Sequence, residues 1–202
     1  INSLPGAEGF MCDVSKDEDI AQTFDGLRQK YGKLHVLVHS VAFAPAAELE
    51  GEFLNTSREG FRIAHDVSVY SLIAVARAAA PLMEDGGSII TMTYYGAEKV
   101  VPHYNVMAVA KAALECSVRY LAFDLGKKKI RVNGVAPGPI WTPLIPSTFE
   151  ADKVQSFGSD VPMARAGEPA ELAPAYVFLA SSDSSYFTGQ ILHPNGGEII
   201  NG

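Results

Sequence analysis

The sequence of 202 residues has little of what disulfide-rich, metal-binding or nucleic-acid-binding proteins are built from. Its two cysteines, Cys12 and Cys116, are too few and too isolated for a disulfide framework or a zinc site, and they fit a reducing compartment. Lys and Arg number 16 against 23 Asp and Glu, which leaves a net charge of −7. Nucleic acids and anionic membranes attract a basic face, so neither is an expected partner.

Long apolar runs and a signal segment are also missing. No apolar run reaches the length of a membrane span, and the amino terminus has no charged segment followed by an apolar one. His35 and His39 are four residues apart, but they belong to a predicted strand over residues 34–40, where this spacing builds no metal-binding face. We therefore expect a cytoplasmic protein with no metal site.

What the chain does contain is typical of an α/β enzyme. Hydrophobic residues make up 48% and charged residues 19%, and the length suits one domain with a sizeable core. Apolar periodicity predicts helices that alternate with buried strands, so parallel strands joined by right-handed crossovers are expected. The predicted helices cover residues 17–31, 56–83, 105–123 and 171–181, and the predicted strands end or lie at residues 10–14, 34–40, 88–93, 130–136 and 189–193.

Three residues near one strand end are suited to hydride-transfer chemistry. Tyr104 and Lys111 are seven residues apart, nearly two helical turns, so both side chains leave one face about 10 Å apart. Tyr94 follows the strand over residues 88–93, at the edge of the sheet where ligands bind. A phenol can bond a carbonyl oxygen that gains charge, while an ammonium favours the ionised phenolate and holds ribose hydroxyls. The alternative is a tyrosine and a lysine with no catalytic role on a half-buried helix.

The spacing of these residues resembles one branch of the short-chain dehydrogenase/reductase superfamily. Commoner members carry a Tyr-x3-Lys pair and an upstream serine, whereas here Met107 stands four residues before Lys111 and Tyr94 takes the place of the serine. A Tyr-x6-Lys pair with another tyrosine ten residues earlier is the pattern of the divergent enoyl-acyl-carrier-protein reductases. The runs Tyr94-Tyr-Gly-Ala-Glu98 and Pro102-His-Tyr-Asn-Val-Met107 look like that subfamily, and the likeness extends over about residues 8–140.

This resemblance implies a Rossmann-type doubly wound parallel sheet and an NADH-dependent or NADPH-dependent enoyl-thioester reductase of fatty-acid synthesis. It assigns catalysis to Tyr94, Tyr104 and Lys111, although Tyr95 would replace Tyr94 if the strand register slipped by one residue. The implied cofactor-binding residues are Asp13, Val14, Ser40, Val41, Ala42, Lys111, Pro139, Ile140, Trp141, Thr142, Pro143 and Leu144. The implied substrate-binding residues are Ala44, Tyr94, Tyr104 and Met107.

The resemblance also implies partners. The substrate would be an enoyl-acyl carrier protein or an enoyl-CoA, although an acidic carrier would be repelled by the net charge unless Lys and Arg cluster locally. In the family, the helix at 56–83 and the helix after Tyr104 pack against their copies, which implies a homotetramer. Both helices are apolar over more than one face, and ordinary burial explains that pattern equally well.

Several alternatives remain open from the residues. Asp13 could be a turn or helix-capping aspartate instead of an adenine contact. The runs at residues 142–146 and 161–171 resemble the commoner dehydrogenases, so an alcohol or carbonyl oxidoreductase is a second hypothesis, and a catalytically silent relative is a third. Prolines, serines and an amphipathic piece near residues 149–157 predict a mobile lid over about residues 141–167 of the single domain.

No Gly-x3-Gly-x-Gly turn follows a first strand, although such a turn lets the backbone approach a pyrophosphate. In a sheet of order 3-2-1-4-5-6-7, the strand ending at Asp13 would be the third and the strand ending at Ser40 the fourth. We therefore expect the natural protein to carry about fifty more residues at its amino end, roughly two βα units. The residue that distinguishes NADH from NADPH would lie there.

Overall fold

The computed structural model of the protein describes residues 4–143, 145–146 and 151–200, and in these ranges helices alternate with strands. The α-helices are α1 (Asp17–Tyr31), α2 (Arg58–His65), α3 (Ser71–Ala79), α4 (Asn105–Leu125), α5 (Ala151–Ser156) and α6 (Pro169–Ala180). The strands are β1 (Val36–His39), β2 (Gly87–Met92), β3 (Ile130–Val135) and β4 (Ile191–Leu192).

The four strands form one parallel sheet in the order β1-β2-β3-β4. Val38 pairs with Ile90, and Ile90 pairs in turn with Asn133, so each strand is in register with its neighbour. The predicted α/β architecture is confirmed. Because all strands run the same way, their carboxyl ends meet at one edge, where ligands bind in such sheets.

The core forms where helices cover the two central strands. Ile89 and Ile90 of β2 and Val132 of β3 are fully buried, as is Leu114 of α4. Strands covered on both faces have continuous apolar sequences, which is why these segments were predictable from composition. Burial of each such side chain contributes about 1.5–3 kcal/mol, so the strands that carry the site are among the most firmly held parts of the protein.

A continuous helix runs through α2, a π-helical turn (Asp66–Tyr70), α3 and a short 3-10 turn (Ala80–Leu82). It begins at Ser57, whose hydroxyl oxygen accepts a hydrogen bond from the backbone N–H of Gly60 at 2.9 Å. The long helix predicted over residues 56–83 is confirmed, and the π turn within it was not predicted.

The same helix is long and apolar enough to cross a membrane by length and composition, which the sequence analysis did not recognise. Half of its most apolar stretch is buried inside the protein. It packs against α1, α4 and β1, and this is the placement of a core helix. Its apolar character is therefore explained by packing within the domain.

The predicted strand end at residues 10–14 is wrong. This segment has no regular secondary structure until the turn at Val14 and Ser15, and the Met11 side chain is 96% exposed. A strand is stabilised by hydrogen bonds to a neighbour, and the next strand in sequence, β1, pairs with β2 alone among the described residues. The final strand is also shorter than predicted, since only Ile191 and Leu192 join the sheet.

Candidate active site

Tyr104 lies at the start of α4, beside the carboxyl edge of the sheet. It caps the helix, and the residues on both sides of it, His103 and Asn105, have positive φ angles of 62° and 36°. Residues other than glycine rarely adopt such angles, and they occur most often where function requires a particular backbone shape. The direction of the Tyr104 side chain is thus set by an unusual local backbone.

Tyr94 contacts Tyr104 directly. Their rings meet edge to face, with centroids 4.9 Å apart and an interplanar angle of 72°. Tyr94 follows the end of β2 in extended conformation, and a short 3-10 turn (Tyr95–Ala97) comes next. The structure brings together the two tyrosines that the sequence placed at this edge.

Gly96 makes room for this contact. A β-carbon at Gly96 would lie 2.5 Å from Cδ1 of Tyr104, a distance that real β-carbons essentially never show, and 3.0 Å from Cε1. The glycine is buried, so an added methyl group has no free space to enter.

We expect Gly96→Ala to displace the Tyr104 ring and to lower enzymatic turnover by about tenfold or more, since a misplacement of about 1 Å can cost 10²-fold. Gly126→Ala is the matched control, because a β-carbon there meets no atom within 4 Å. Steady-state kinetics of both variants, with thermal melting to check folding, is the measurement. Equal turnover in the two variants would show that the tyrosine pair tolerates displacement.

The Tyr104 hydroxyl remains protonated. Burial raises its pKa above the ordinary value, and the neighbouring Tyr94 raises it further. Burial also raises the pKa of Tyr94. The sequence predicted that the lysine ammonium would favour an ionised phenolate, but the pKa of Tyr104 moves in the opposite direction, because burial disfavours the charged form. Tyr104 is suited to donate a hydrogen bond and a proton.

Lys111 lies nearly two turns beyond Tyr104, on α4, and is 5% exposed. Its Nζ donates a hydrogen bond to the backbone oxygen of Met92 at 2.9 Å, which ties α4 to the last residue of β2. Burial lowers the pKa of Lys111 to about 8, and the Glu115 carboxylate acts in the opposite direction. The lysine is therefore fixed beneath the strand tip that carries Tyr94.

Glu115 and Thr93 form a second link between the same two elements. The Thr93 hydroxyl donates a hydrogen bond to Glu115 Oε1 at 2.8 Å, and both residues are buried. Burial raises the pKa of Glu115. The pair of Thr93 and Glu115 was not predicted from the sequence, although the four-residue spacing of Lys111 and Glu115 places those two residues on one helix face.

His39 fixes the end of β1. Its Nδ1 lies 2.9 Å from the Thr91 hydroxyl and its Nε2 lies 2.8 Å from the Ser71 hydroxyl. Burial lowers the pKa of His39 to about 4, and the charge of Lys111 acts in the same direction, so the ring is neutral. The residue holds the strand immediately before the loop at residues 40–44.

That loop brings the predicted substrate residues together. Ala44 and Tyr104 both pack against a buried cluster that contains Met107 and Val106. The predicted cofactor residues Ser40, Val41 and Ala42 are exposed at the carboxyl edge of β1. One side of this loop therefore faces solvent at the sheet edge, while its last residue, Ala44, packs against the same cluster as Tyr104.

Asp13 occupies a turn before α1. Its Oδ1 accepts hydrogen bonds from the backbone and the hydroxyl of Ser15, and its Oδ2 lies 3.1 Å from Lys16 Nζ. These bonds lower the pKa of Asp13 to about 2. The alternative of a turn aspartate describes this geometry, and Val14 packs against the main core. An adenine contact by Asp13 and Val14 stays a prediction.

The segment after β3 returns to the same edge. Ile140 pairs with Gly167, and the Trp141 backbone N–H donates to the Gly167 oxygen at 2.8 Å. The Trp141 ring lies 6.4 Å from that of Phe157. Pro139, Thr142 and Pro143 adjoin this pairing, whereas Leu144 lies outside the described residues. The predicted mobility of a lid over residues 141–167 remains a prediction.

A surface cavity lies beside this segment, lined in part by Ile140, Glu171 and Asn195. Pro139 and Ile140, two of the predicted cofactor residues, line this cavity, but neither the two tyrosines nor Lys111 does, so the tyrosine pair lies at the open sheet edge outside it. In the described ranges, no group of three His, Cys, Asp or Glu side chains is placed to hold a metal ion.

Comparison with known proteins places the chain in one family. The family model described as "Enoyl-(Acyl carrier protein) reductase" matches residues 2–198, and so includes the last third of the chain, which the sequence analysis had compared with commoner dehydrogenases. The enoyl-acyl-carrier-protein reductase (NADH) FabI of Aquifex aeolicus is 46% identical over 199 residues, covering 95% of this chain and 72% of that protein. The Bacillus subtilis protein of the same name is 46% identical over 193 residues, covering 92% and 72%.

Solved structures of enoyl-acyl carrier protein reductases are similar to this chain as well. The Bacillus cereus enoyl-acyl carrier protein reductase, crystallised with NADP+ and an indole naphthyridinone, superimposes with a TM-score of 0.92 at 41% identity and covers 100% of this chain and 79% of its own. The Anaplasma phagocytophilum reductase in complex with NAD gives 0.91 at 41% identity, covering 97% and 75%. The chain therefore belongs to the enoyl-acyl-carrier-protein reductase family of the short-chain dehydrogenase/reductase superfamily.

Proposed function

We propose that the protein is an NADH-dependent enoyl-acyl-carrier-protein reductase of fatty-acid synthesis, which reduces the double bond of a trans-2-enoyl thioester. The contact between Tyr94 and Tyr104, above a buried Lys111 bonded to the same strand tip, is the observation that carries the proposal. Relatives of this chain are named as NADH-dependent reductases of that substrate. Met107, where a commoner dehydrogenase has its catalytic tyrosine, is buried in an apolar cluster and supplies no proton.

The residues at the sheet edge fit a nicotinamide dinucleotide. The Lys111 ammonium has three protons, and the Met92 oxygen accepts one of them among the described contacts. A buried ammonium with donors to spare suits ribose hydroxyls, because unpaired buried donors are costly. We assign Ser40, Val41, Ala42, Pro139 and Ile140 to the walls of this site, with Trp141, Thr142, Pro143 and Leu144 beyond them. NADH is the expected cofactor, and NADPH is the alternative, since one related structure holds NADP+.

Tyr104 acts on the thioester carbonyl. When bound, NADH supplies the hydride that adds to the β carbon of the enoyl group. The protonated Tyr104 hydroxyl donates a hydrogen bond to the carbonyl oxygen, where negative charge develops as the β carbon is reduced. A proton then reaches the α carbon, and the products are the saturated thioester and the oxidised cofactor. Because the raised pKa of Tyr104 keeps its proton in place, the donor is ready before the reaction begins.

Lys111 and Tyr94 support this donor in different ways. The Lys111 charge stabilises the developing oxyanion and its ammonium orients the ribose. Tyr94 supports the Tyr104 ring by edge-to-face contact and closes one side of the pocket. Ala44 and Met107 shape the substrate side, because both pack in the cluster that Tyr104 joins.

Turnover is expected to fall as the pH rises through about 8, because the ammonium form of Lys111 is lost there. The Glu115 carboxylate favours that ammonium, so Glu115→Gln should move the alkaline limb of kcat to lower pH. Glu59→Gln is the control, since Glu59 is exposed and paired with Arg62. The measurement is kcat across the pH range with melting at each pH. An alkaline limb at the same pH in Glu115→Gln and wild type would contradict this role of Lys111.

We also propose a homotetramer in the cytoplasm. The exposed side chains of Val109, Tyr120 and Phe123 share one face of α4, and those of Tyr120 and Phe123 are 71% and 84% exposed. Large exposed apolar faces mark interaction surfaces. Sedimentation or light scattering should give about four times the 21.6 kDa chain mass, and Phe123→Asp should lower that mass. A monomeric wild-type mass would reject the tetramer.

The substrate assignment is tested by NADH oxidation. Crotonyl and longer trans-2-enoyl thioesters, on coenzyme A and on acyl carrier protein, are compared with a panel of ketones, sugars and sterols. The proposal predicts that the thioesters are reduced and the carbonyl compounds are not. Faster reduction of any ketone would favour an alcohol or carbonyl oxidoreductase, and no reduction of any compound would favour a catalytically silent relative.

A further inference from the structure

The π-helical turn at Asp66–Tyr70 has no role in the chemistry described so far. It interrupts a helix that is otherwise regular from Arg58 to Leu82. Such turns are rare, and many of them lie at functional sites. Two of its residues, Ser68 and Val69, are buried, and Ser71 follows directly after it. Because the hydroxyl groups of Ser68 and Ser71 are buried, they must form hydrogen bonds with protein atoms, and those bonds fix the segments that they join.

Ser68 holds the backbone of Phe43. The Phe43 N–H donates a hydrogen bond to Ser68 Oγ at 3.0 Å, and the Phe43 oxygen lies 3.2 Å from the same hydroxyl. The Met107 sulfur is 3.8 Å away and competes weakly for the single hydroxyl proton. Ser68 is fully buried, so water does not take over these bonds. One side chain therefore satisfies both polar backbone groups of a loop residue.

Ser71 holds the start of the same loop. Its hydroxyl donates to the Val67 oxygen at 2.6 Å, and it lies 2.8 Å from His39 Nε2. Ser68 and Ser71 are three residues apart and share a helix face, so the loop is attached at His39 and again at Phe43. The stretch between these two attachments contains Val41, a proposed cofactor contact.

The position of Ala44, the residue after Phe43, depends on the hydrogen bonds between Ser68 and the Phe43 backbone. Ala44 packs with Tyr104 against the cluster of Ala64, Val106 and Met107. The Phe43 side chain itself is 55% exposed and offers little packing of its own. The position of Ala44 against this cluster is thus set largely by the backbone of Phe43.

We propose that Ser68 is a positioning residue of the reductase, which fixes the Phe43 backbone and thereby holds Ala44 against the cluster that Tyr104 also joins. Ser68 touches no reacting atom, because it is buried beneath the loop. The inference rests on the proposed function for its consequence in catalysis, while the attachment of the loop is independent of it. The π turn is the local structure that presents Ser68 to the loop.

Ser68→Ala removes the attachment with little change in volume. We expect KM for an enoyl thioester to rise about tenfold, the loss of about one hydrogen bond, while Kd for NADH changes by less than about twofold. The affinity for NADH should stay nearly unchanged, because Ser40 and Val41 continue directly from β1 and are still held through the hydrogen bond of His39. Ser68→Thr keeps the hydroxyl and should recover most of the affinity. An unchanged KM in Ser68→Ala would overturn the proposal.

Ser117→Ala is the matched control, because the Ser117 hydroxyl bonds only the Ala113 oxygen of its own helix among the described contacts, at 2.9 Å. Hydrogen–deuterium exchange gives a readout that needs no activity. Peptides containing the Phe43 amide should exchange about tenfold faster in Ser68→Ala than in wild type or Ser117→Ala. Equal exchange in all three proteins would overturn the attachment, whereas absent turnover in wild type would reject the reductase assignment alone.

Discussion

Tyr104→Phe is expected to lower kcat for enoyl-thioester reduction by about 10²–10³-fold, the usual loss when one oxyanion donor is removed. Phenylalanine keeps the ring that meets Tyr94 edge to face and loses only the hydroxyl. The loss should therefore appear in kcat, with thermal melting close to that of wild type. NADH binding should also persist, since Tyr104 is assigned to the substrate carbonyl.

Tyr186→Phe is the control for this experiment. Tyr186 is fully exposed and lies outside both the candidate site and the proposed subunit interface. Its variant should match wild type in kcat. A Tyr104→Phe enzyme that retains wild-type turnover would remove Tyr104 from the chemistry, and a similar loss in Tyr94→Phe alone would transfer the role to Tyr94.

Lys111→Ala is expected to reduce kcat/KM by about 10²–10³-fold and to raise KM for NADH. The variant removes the buried charge near the developing oxyanion and the donor assigned to the ribose. It also leaves the Met92 oxygen without its partner, which costs about 1–3 kcal/mol of stability. Steady-state titration with NADH at saturating thioester is the measurement.

Lys111→Met separates charge from volume. Methionine fills the apolar part of the lysine site and carries no charge, so a loss in this variant equal to that in Lys111→Ala identifies the ammonium as the cause. Lys127→Ala, an exposed lysine beyond the end of α4, is the control and should be unaffected. Wild-type kinetics in Lys111→Met would exclude the proposed role of the charge.

Much of the fold was predictable from apolar periodicity. The helix predicted over residues 17–31 agrees with α1 at both ends, and the strands at the centre of the sheet agree to within two residues. These segments form helices and strands because one or both of their faces are buried, and buried faces require apolar residues whose spacing can be recognised in the sequence. The parallel direction of the strands followed from the same alternation of elements.

Two features of the fold were not predictable in this way. Whether residues 10–14 form a strand depends on a hydrogen-bonding neighbour, and no pattern within the segment reveals that neighbour. The π turn at Asp66–Tyr70 adds one residue to a helix turn whose apolar spacing still reads as helical. Both are decided by tertiary contacts and not by local composition.

In the candidate site, too, local sequence predicted some features, while contacts between distant segments determine others. The spacing of Tyr94, Tyr104 and Lys111 indicated that they would share one edge, and the structure brings the tyrosines into contact. The predicted direction of the Tyr104 pKa shift was wrong, because the spacing of residues in the sequence does not reveal how deeply a side chain is buried. Thr93 with Glu115, and Ser68 with Phe43, are contacts between distant segments and were not foreseen.

In the proposed mechanism, hydride reaches the β carbon of an enoyl thioester while Tyr104 stabilises its carbonyl oxygen. This is measured with NADH carrying deuterium at the transferred position, a trans-2-enoyl thioester and mass analysis of the product with fragmentation. We expect a saturated thioester with deuterium on the β carbon and a solvent-derived proton on the α carbon. Deuterium on a former carbonyl carbon, or an alcohol as product, would contradict it.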